Sequence, residues 1–352
     1  MAPERVTAVA AAVGRGPVAG AMVALLERIA PWRRGVLAVL TYHRVDDPEH
    51  RPDLLPGLVS ATPEAFAAQM AVLAERYRPV SLAEVLEALP DPRRLPPRAV
   101  LVTFDDAYAD FAEHAWPALR ANGVPATMFV PTAYPDRPTA GYWWDRLWDA
   151  IRTSTVPELP GSPVGRLPLV RPDERSAAMA ALRTWLKTQS HDSAMSEVDA
   201  LVVALRPGAG TSGSGDDADG ARGSAVLDWD TLRRLAGEGL TLAPHTRTHP
   251  LLDRVTAETA VAEIAGSRED LEHAVGPTPP VLAYPSGAHG GGAVEAARRA
   301  GMVLAVTTER GGNDLRHTDP LRFRRINVGR RAHVPLVRGQ LVWASTFDAR
   351  RR

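Results

Sequence analysis

Short apolar runs separated by amphipathic stretches constrain this chain more than anything else in it. Residues 36–40, 99–102 and 126–130 are apolar or nearly so, at the length of single strands. That is the pattern of strands buried on both faces of a parallel sheet. Between the first two, residues 62–77 read as a helix, with Thr62 as N-cap and Pro63 at the first helical position. Phe66, Met70, Leu73 and Tyr77 follow one face of it. A short strand at 79–81 and a second helix at 82–89, capped by Ser81, come next. A third helix through Phe111, Ala115 and Leu119 stops near Asn122-Gly123. Strand and helix alternate as they do in a parallel α/β sheet.

The alternation breaks after Pro131. Residues 135–227 contain no strand signal, and helices are expected from Tyr142 through Trp148, at 174–187 and at 195–205. Residues 207–224 are rich in Gly, Ser and Asp, which predicts a disordered exit. The tryptophans at 143, 144 and 148 either line a sugar-binding rim or anchor this insertion to its host. The pattern resumes with a helix at 229–236, strands at 240–243, 281–284, 303–306 and 323–328, and helices at 256–274 and 292–300. About seven buried strands suit an α/β fold of the irregular (β/α)7-type barrel class with a helical insertion. The expected division is a helical N-terminal segment at 1–34, barrel parts at 35–134 and 228–330, the insertion between them, and a tail at 331–352.

Composition excludes several functions. Basic and acidic residues balance at 41 each, without the cationic excess of a nucleic-acid surface. The absence of cysteine rules out disulfides and thiolate metal sites, so any metal must be held by His, Asp or Glu. No apolar run is long enough for a transmembrane helix. Residues 16–26 are apolar but lead at once into Glu27-Arg28. They read as a short helix that packs on the domain or touches a membrane surface, and a cytoplasmic location is the expectation.

The chemistry lies at strand ends. Thr103-Phe104-Asp105-Asp106 closes one buried strand and His245-Thr246-Arg247-Thr248-His249 follows another. His43, Pro285-Ser286-Gly287 and the residues after Val306 fall at the same edge, where barrel active sites are built. One carboxylate and two neutral imidazoles give a divalent ion three ligands with a position open for water. The other carboxylate is then free to take that water's proton. The His-x-x-x-His spacing brings both rings to one face if the segment turns helically. Taken singly, the Asp pair also reads as a solvated turn or a helix cap.

These motifs resemble those of the polysaccharide deacetylases, carbohydrate esterase family 4, with a Thr-Phe-Asp-Asp motif and a later His-[Ser/Thr]-x-x-His motif. Leu40–Val45, Thr62–Phe66, Tyr77–Leu82, Gly123–Val130, Ala283–Gly287 and Arg322–Ile326 extend the likeness over most of the chain outside the insertion and termini. The resemblance implies a divalent metal, zinc foremost with cobalt or nickel as alternatives, held by Asp106, His245 and His249. It implies Asp105 as general base and the backbone N–H of Ser286, in the Tyr284-Pro285-Ser286 turn, as oxyanion donor. The family's late Leu-x-His motif is absent. In a circularly permuted branch, His43 at the end of the first strand would supply the acid instead. The arginine that orients the base in many members is also missing before the proline motif, and Arg322, Arg324 or Arg325 could replace it. A carbohydrate carrying N-acetyl groups is the implied substrate. Hydrolysis of another carbon–nitrogen amide and a non-catalytic carbohydrate-binding role are the alternatives.

Overall fold

The computed structural model describes residues 17–205 and 225–346. Seven parallel strands form the principal path of its nine-stranded main sheet: β1 (Val36–Tyr42), β2 (Ala99–Asp105), β3 (Ala126–Val130), β4 (Thr241–Pro244), β5 (Val281–Ala283), β6 (Leu304–Arg310) and β7 (Phe323–Asn327). They run β4-β3-β2-β1-β7-β6-β5 across the sheet, so every neighbour is consecutive in sequence except where β7 returns to β1. That order is a ring opened once, between β4 and β5. It is the irregular barrel that the strand count predicts.

Residue parity decides what faces the interior. Leu37, Val39, Ala99, Leu101, Phe129, Ala243, Val281, Ala283, Leu304, Val306 and Phe323 pack together in one buried cluster inside the ring. Their neighbours Ala38, Leu40, Val100, Val102, Met128 and Leu242 face a separate layer of helices outside it. Pairing holds the phase across strands, with Val39 opposite Leu101 and Thr41 opposite Thr103. Phe129 lies opposite Ala243. Following the inward parity upward leads through Thr41 and Thr103 to His43, Asp105, His245, Arg325 and Asn327. A period of two thus delivers the site residues to one end of the ring.

Element boundaries follow the sequence reading with explicable shifts. Thr62 caps the helix Pro63–Arg76 through its side chain. The expected strand at 79–81 is Arg78–Pro79 instead, because Ser81 already serves as N-cap of Leu82–Ala88 in a capping box with Glu84. The insertion builds its own apolar core from the helices Trp143–Thr153, Pro172–Leu186 and His191–Leu205, and Trp148 is part of it. The expected disordered exit, 207–224, lies outside the described residues.

Both ends of the described chain are fastened to the barrel. The segment read as a tail contains a helix, Val334–Thr346, whose Val337, Leu341 and Ala344 enter the outer core. The helix Pro17–Ile29 lies beside it, and Glu27 receives hydrogen bonds from Arg338 and from the Tyr77 hydroxyl. No helix among the described residues is long and apolar enough to cross a membrane.

Burial alone would raise the Glu27 carboxyl, but Arg338 and Tyr77 outweigh it and hold it below its ordinary value of 4.5. A depressed carboxyl adds stability above the unfolded value and loses it as pH falls through the folded one. Glu27→Gln is therefore expected to lower stability by about 2 kcal/mol at pH 7, since Arg338 loses its counter-ion but keeps some access to water. As pH falls from 4.5 through the lowered folded value the two proteins should converge. Urea titrations at pH 7 and along that descent measure the difference.

Candidate metal centre and active-site cleft

Adjacent residues of a strand point to opposite faces, yet Asp105 and Asp106 both line one cleft of 310 Å³. The backbone resolves this by leaving the strand. Asp106 and Ala107 adopt left-handed conformations, with φ of 72° and 48°. Each such residue costs about 1–3 kcal/mol and persists only where the surroundings enforce it. Phe129 accepts the Asp106 backbone N–H, and the Tyr142 hydroxyl donates to the Asp106 carbonyl.

The histidine segment uses the same device. The sequence suggests a helical turn to bring His245 and His249 together, but residues 245–249 are not helical. Thr246 and His249 take φ of 64° and 60°, and the two rings meet edge to face with centroids 4.8 Å apart. Glu263 on helix Ala257–Val275 accepts the backbone N–H groups of Arg247 and Thr248, each at 2.8 Å. The Thr246 hydroxyl accepts the His249 N–H. These external bonds fix a loop that a helix would have fixed by its own.

The three side chains converge on a shared point. Asp106 Oδ1 lies 3.5 Å from His245 Nε2 and 3.4 Å from His249 Nε2. It is fully buried and has no hydrogen-bond partner. Ligand atoms about 2.0–2.1 Å from one tetrahedral ion stand roughly 3.3–3.4 Å apart; both Asp106–histidine distances match this and all three ligand atoms lie within 4.8 Å of one another, so the set could hold a divalent cation such as zinc.

The histidines are prepared for that task. His245 Nδ1 lies 2.7 Å from the Ala283 carbonyl, which can only accept, so this nitrogen carries the hydrogen and Nε2 keeps its lone pair. That bond also spans the opening between β4 and β5. Burial keeps His249 neutral, pushing its pKa down to about 3. The Trp144 ring packs edge-on against His249 with centroids 4.9 Å apart, and its indole N–H donates to Tyr108.

Asp105 is held apart from this set. Arg325 grips it through two hydrogen bonds of 2.8 and 2.7 Å, both groups being buried. The Arg325 Nε–H donates to the Thr307 carbonyl, which fixes the guanidinium plane. Burial would raise the Asp105 carboxyl, but Arg325 and His245 outweigh it and keep it ionised. Among the three arginines the sequence offered, strand parity selects this one: Phe323 points inward, so Arg325 does too.

His43 lines the same cleft at the end of β1, with its backbone N–H bonded to Ser60. Ser286 also lines it, in a left-handed conformation with φ of 53°. Gly287 follows at φ 72°, where a Cβ would collide with Thr308. Tyr284 is buried in the outer layer with its hydroxyl on the Leu321 carbonyl, and Pro285 is buried in the same turn. These two support the turn and do not line the cleft. His317 is exposed, and His333 accepts the Leu336 N–H at the start of the C-terminal helix. Trp143 and Trp144 line the cleft, while Trp148 is buried in the core of the insertion. Thr308, from the residues after Val306, also lines the cleft, whereas sequence reasoning missed Arg183, Lys187 and Asn327 in its walls.

Known proteins agree with this architecture. The deacetylase PplD of Streptococcus pyogenes, solved with acetate, superposes with a TM-score of 0.58 at 19% identity, over 88% of this chain and 99% of that one. A de-N-acetylase from Aggregatibacter actinomycetemcomitans gives 0.55 at 16%, over 87% and 99%. At these identities the likeness establishes the fold. The poly-beta-1,6-N-acetyl-D-glucosamine N-deacetylase of Escherichia coli K12 is 33% identical over 109 residues, which span 31% of this chain and only 16% of that relative. The polysaccharide deacetylase family profile matches residues 93–156 and 177–305, more than half of the sequence and both metal-ligand motifs, and the chain belongs to that family.

Proposed function

We propose that this protein is a metal-dependent hydrolase that removes N-acetyl groups from an amino sugar of a glycan or glycoside. The observation that carries the reading is the division of labour between adjacent carboxylates. Asp106 faces the lone pairs of two imidazoles, while Asp105 is clamped by Arg325 and kept out of that cluster. The relative from Escherichia coli, a deacetylase of poly-N-acetylglucosamine, supports N-acetylglucosamine as the sugar.

Asp106, His245 and His249 would hold the cation, which when bound supplies Lewis-acid polarisation of a carbonyl and makes a water acidic near neutral pH. Asp105 takes a proton from the attacking water, oriented for this by Arg325. Water oxygen bonds to the acetamide carbon, and the backbone N–H of Ser286 faces the oxygen that gains charge. His43 then protonates the nitrogen as the carbon–nitrogen bond breaks. The products are a free amino sugar and acetate. Trp143 and Trp144 offer the sugar an apolar wall.

The purified protein loaded with zinc, cobalt or nickel should release acetate from N-acetylglucosamine oligomers. Asp105→Asn is expected to keep its metal and lose at least about 100-fold in turnover; full activity in this variant would overturn the base assignment. His245→Ala should lose both metal and turnover, as read by elemental analysis beside the acetate assay. With His43→Ala, turnover should fall while metal content stays; lost metal would make His43 a ligand.

Arg325→Met tests the clamp. Asp105 lies below the usual carboxylate range because of Arg325, so removing the guanidinium raises it. The acid limb of the kcat/KM profile should then move to higher pH, with metal content unchanged. An unmoved limb would show that Arg325 does not govern the base.

A further inference from the structure

Two cations stand in the wall of the cleft without a fixed counter-ion. Arg183 and Lys187 sit four residues apart, on the last turn and at the C-terminal cap of helix Pro172–Leu186, and so share one face. Both line the 310 Å³ cleft together with Asp105, Asp106, His245 and His249. Neither side chain has a hydrogen bond or ion pair among the described residues. Lys187 is the chain's single lysine.

A lysine at a helix C-terminus has an ordinary explanation in the carbonyls and dipole of that end. This explanation suits an exposed side chain. Here Lys187 is half-buried, and Arg183 shares the cleft one turn earlier. The Arg183 guanidinium reaches the opposite wall, where its Nη1 would lie 3.8 Å from a Cβ on Gly57. Burial drives both groups below their ordinary pKa; Tyr108, Asp145 and Asp106 oppose this at Arg183, while at Lys187 the Arg183 charge adds to it and Asp106 opposes it. Asp106 is already committed to the cation cluster, and Asp105 to Arg325. A neutral sugar chain would leave both cations partly stripped of water and unpaired, which is costly.

We propose that the natural substrate carries a carboxylate or phosphate on the N-acetylated sugar or its immediate neighbour, and that Arg183 and Lys187 bind that anion. The inference rests on the deacetylase reading and narrows its substrate class to acidic amino-sugar glycans or glycosides. The guanidinium offers a planar fork to such an anion and the ammonium a compact point charge. With the acetamide at Asp105 and Asp106, the anion falls against the insertion. The insertion, not the barrel, then selects the substrate.

The test compares kcat and KM of the zinc-loaded protein on three matched N-acetylhexosamine oligomers: neutral, carboxylated and phosphorylated. At least one acidic oligomer should show kcat/KM about tenfold or more above the neutral one, chiefly through KM, with the advantage shrinking at high salt. The carboxylated and phosphorylated arms identify the anion. Arg183→Gln and Lys187→Met should bring the ratio towards one, whereas Arg183→Lys and Lys187→Arg should retain most of it. Equal or better turnover of the neutral oligomer would overturn the proposal, as would a ratio untouched by both charge removals. Calorimetric binding of the same three oligomers to the Asp105→Asn protein gives a readout free of turnover. If no oligomer releases acetate, the deacetylase reading fails, and the binding preference still decides the anion site.

Discussion

Two carboxylates on adjacent residues cannot both stay ionised in a buried cleft unless each has its own compensation. That constraint organises the site. Arg325 compensates Asp105 with a paired hydrogen bond. Among the described residues Asp106 has no paired arginine or lysine, and it faces the lone pairs of two imidazoles. Had a single arginine bridged both carboxylates, neither would be free to bind a metal or accept a proton. The separation depends on the two left-handed residues at 106 and 107, which turn the second side chain while leaving the first in strand register. Left-handed non-glycine residues also occur at Thr246, His249 and Ser286. Strain is thus concentrated where the cleft is assembled, and the bonds from Tyr142, Glu263 and Thr246 hold it there.

The opening of the barrel contributes to the same arrangement. A sheet with the ring order of this one could close by pairing β4 with β5. Instead, the His245 ring donates to the Ala283 carbonyl across that position. A side chain takes the place of a backbone ladder bond, and in doing so its tautomer is fixed. The histidine therefore serves the fold through one nitrogen and the cation cluster through the other. Losing it would disturb both.

Much of this was legible in the sequence because strands and motifs obey short periods. The apolar runs placed six of the seven barrel strands to within three residues, and the Asp and His motifs lay at strand ends for the same reason. β6 was less legible: its last residues, Thr308–Arg310, are exposed and carry no apolar signal. The helical turn expected at 245–249 did not form, because its conformation is set by Glu263, a residue fourteen positions beyond the motif. Arg325 was indistinguishable from Arg322 and Arg324 by composition, although the inward phase set by Phe323 separates them. The helix at 334–346 carries little periodic signal, and its place comes from packing on the outer layer and from the distant Glu27. Tertiary partners of this kind are invisible to local pattern.

The insertion had the least readable role. Its helices bury a core into which Leu55 and Tyr108 of the barrel segment also pack. Polar and aromatic contacts add to this attachment: Tyr142 on the Asp106 carbonyl, and Trp144 against His249 with its indole on Tyr108. These contacts brace the candidate metal ligands from outside the barrel. A bracing element needs no charged group aimed into the cleft, since aromatic packing suffices for it. The presence of Arg183 and Lys187 on the cleft side of the same insertion therefore calls for a second cause, and an anion brought by the substrate supplies one. On this proposal the barrel fixes the reaction through strand parity, and the insertion selects the glycan that meets it.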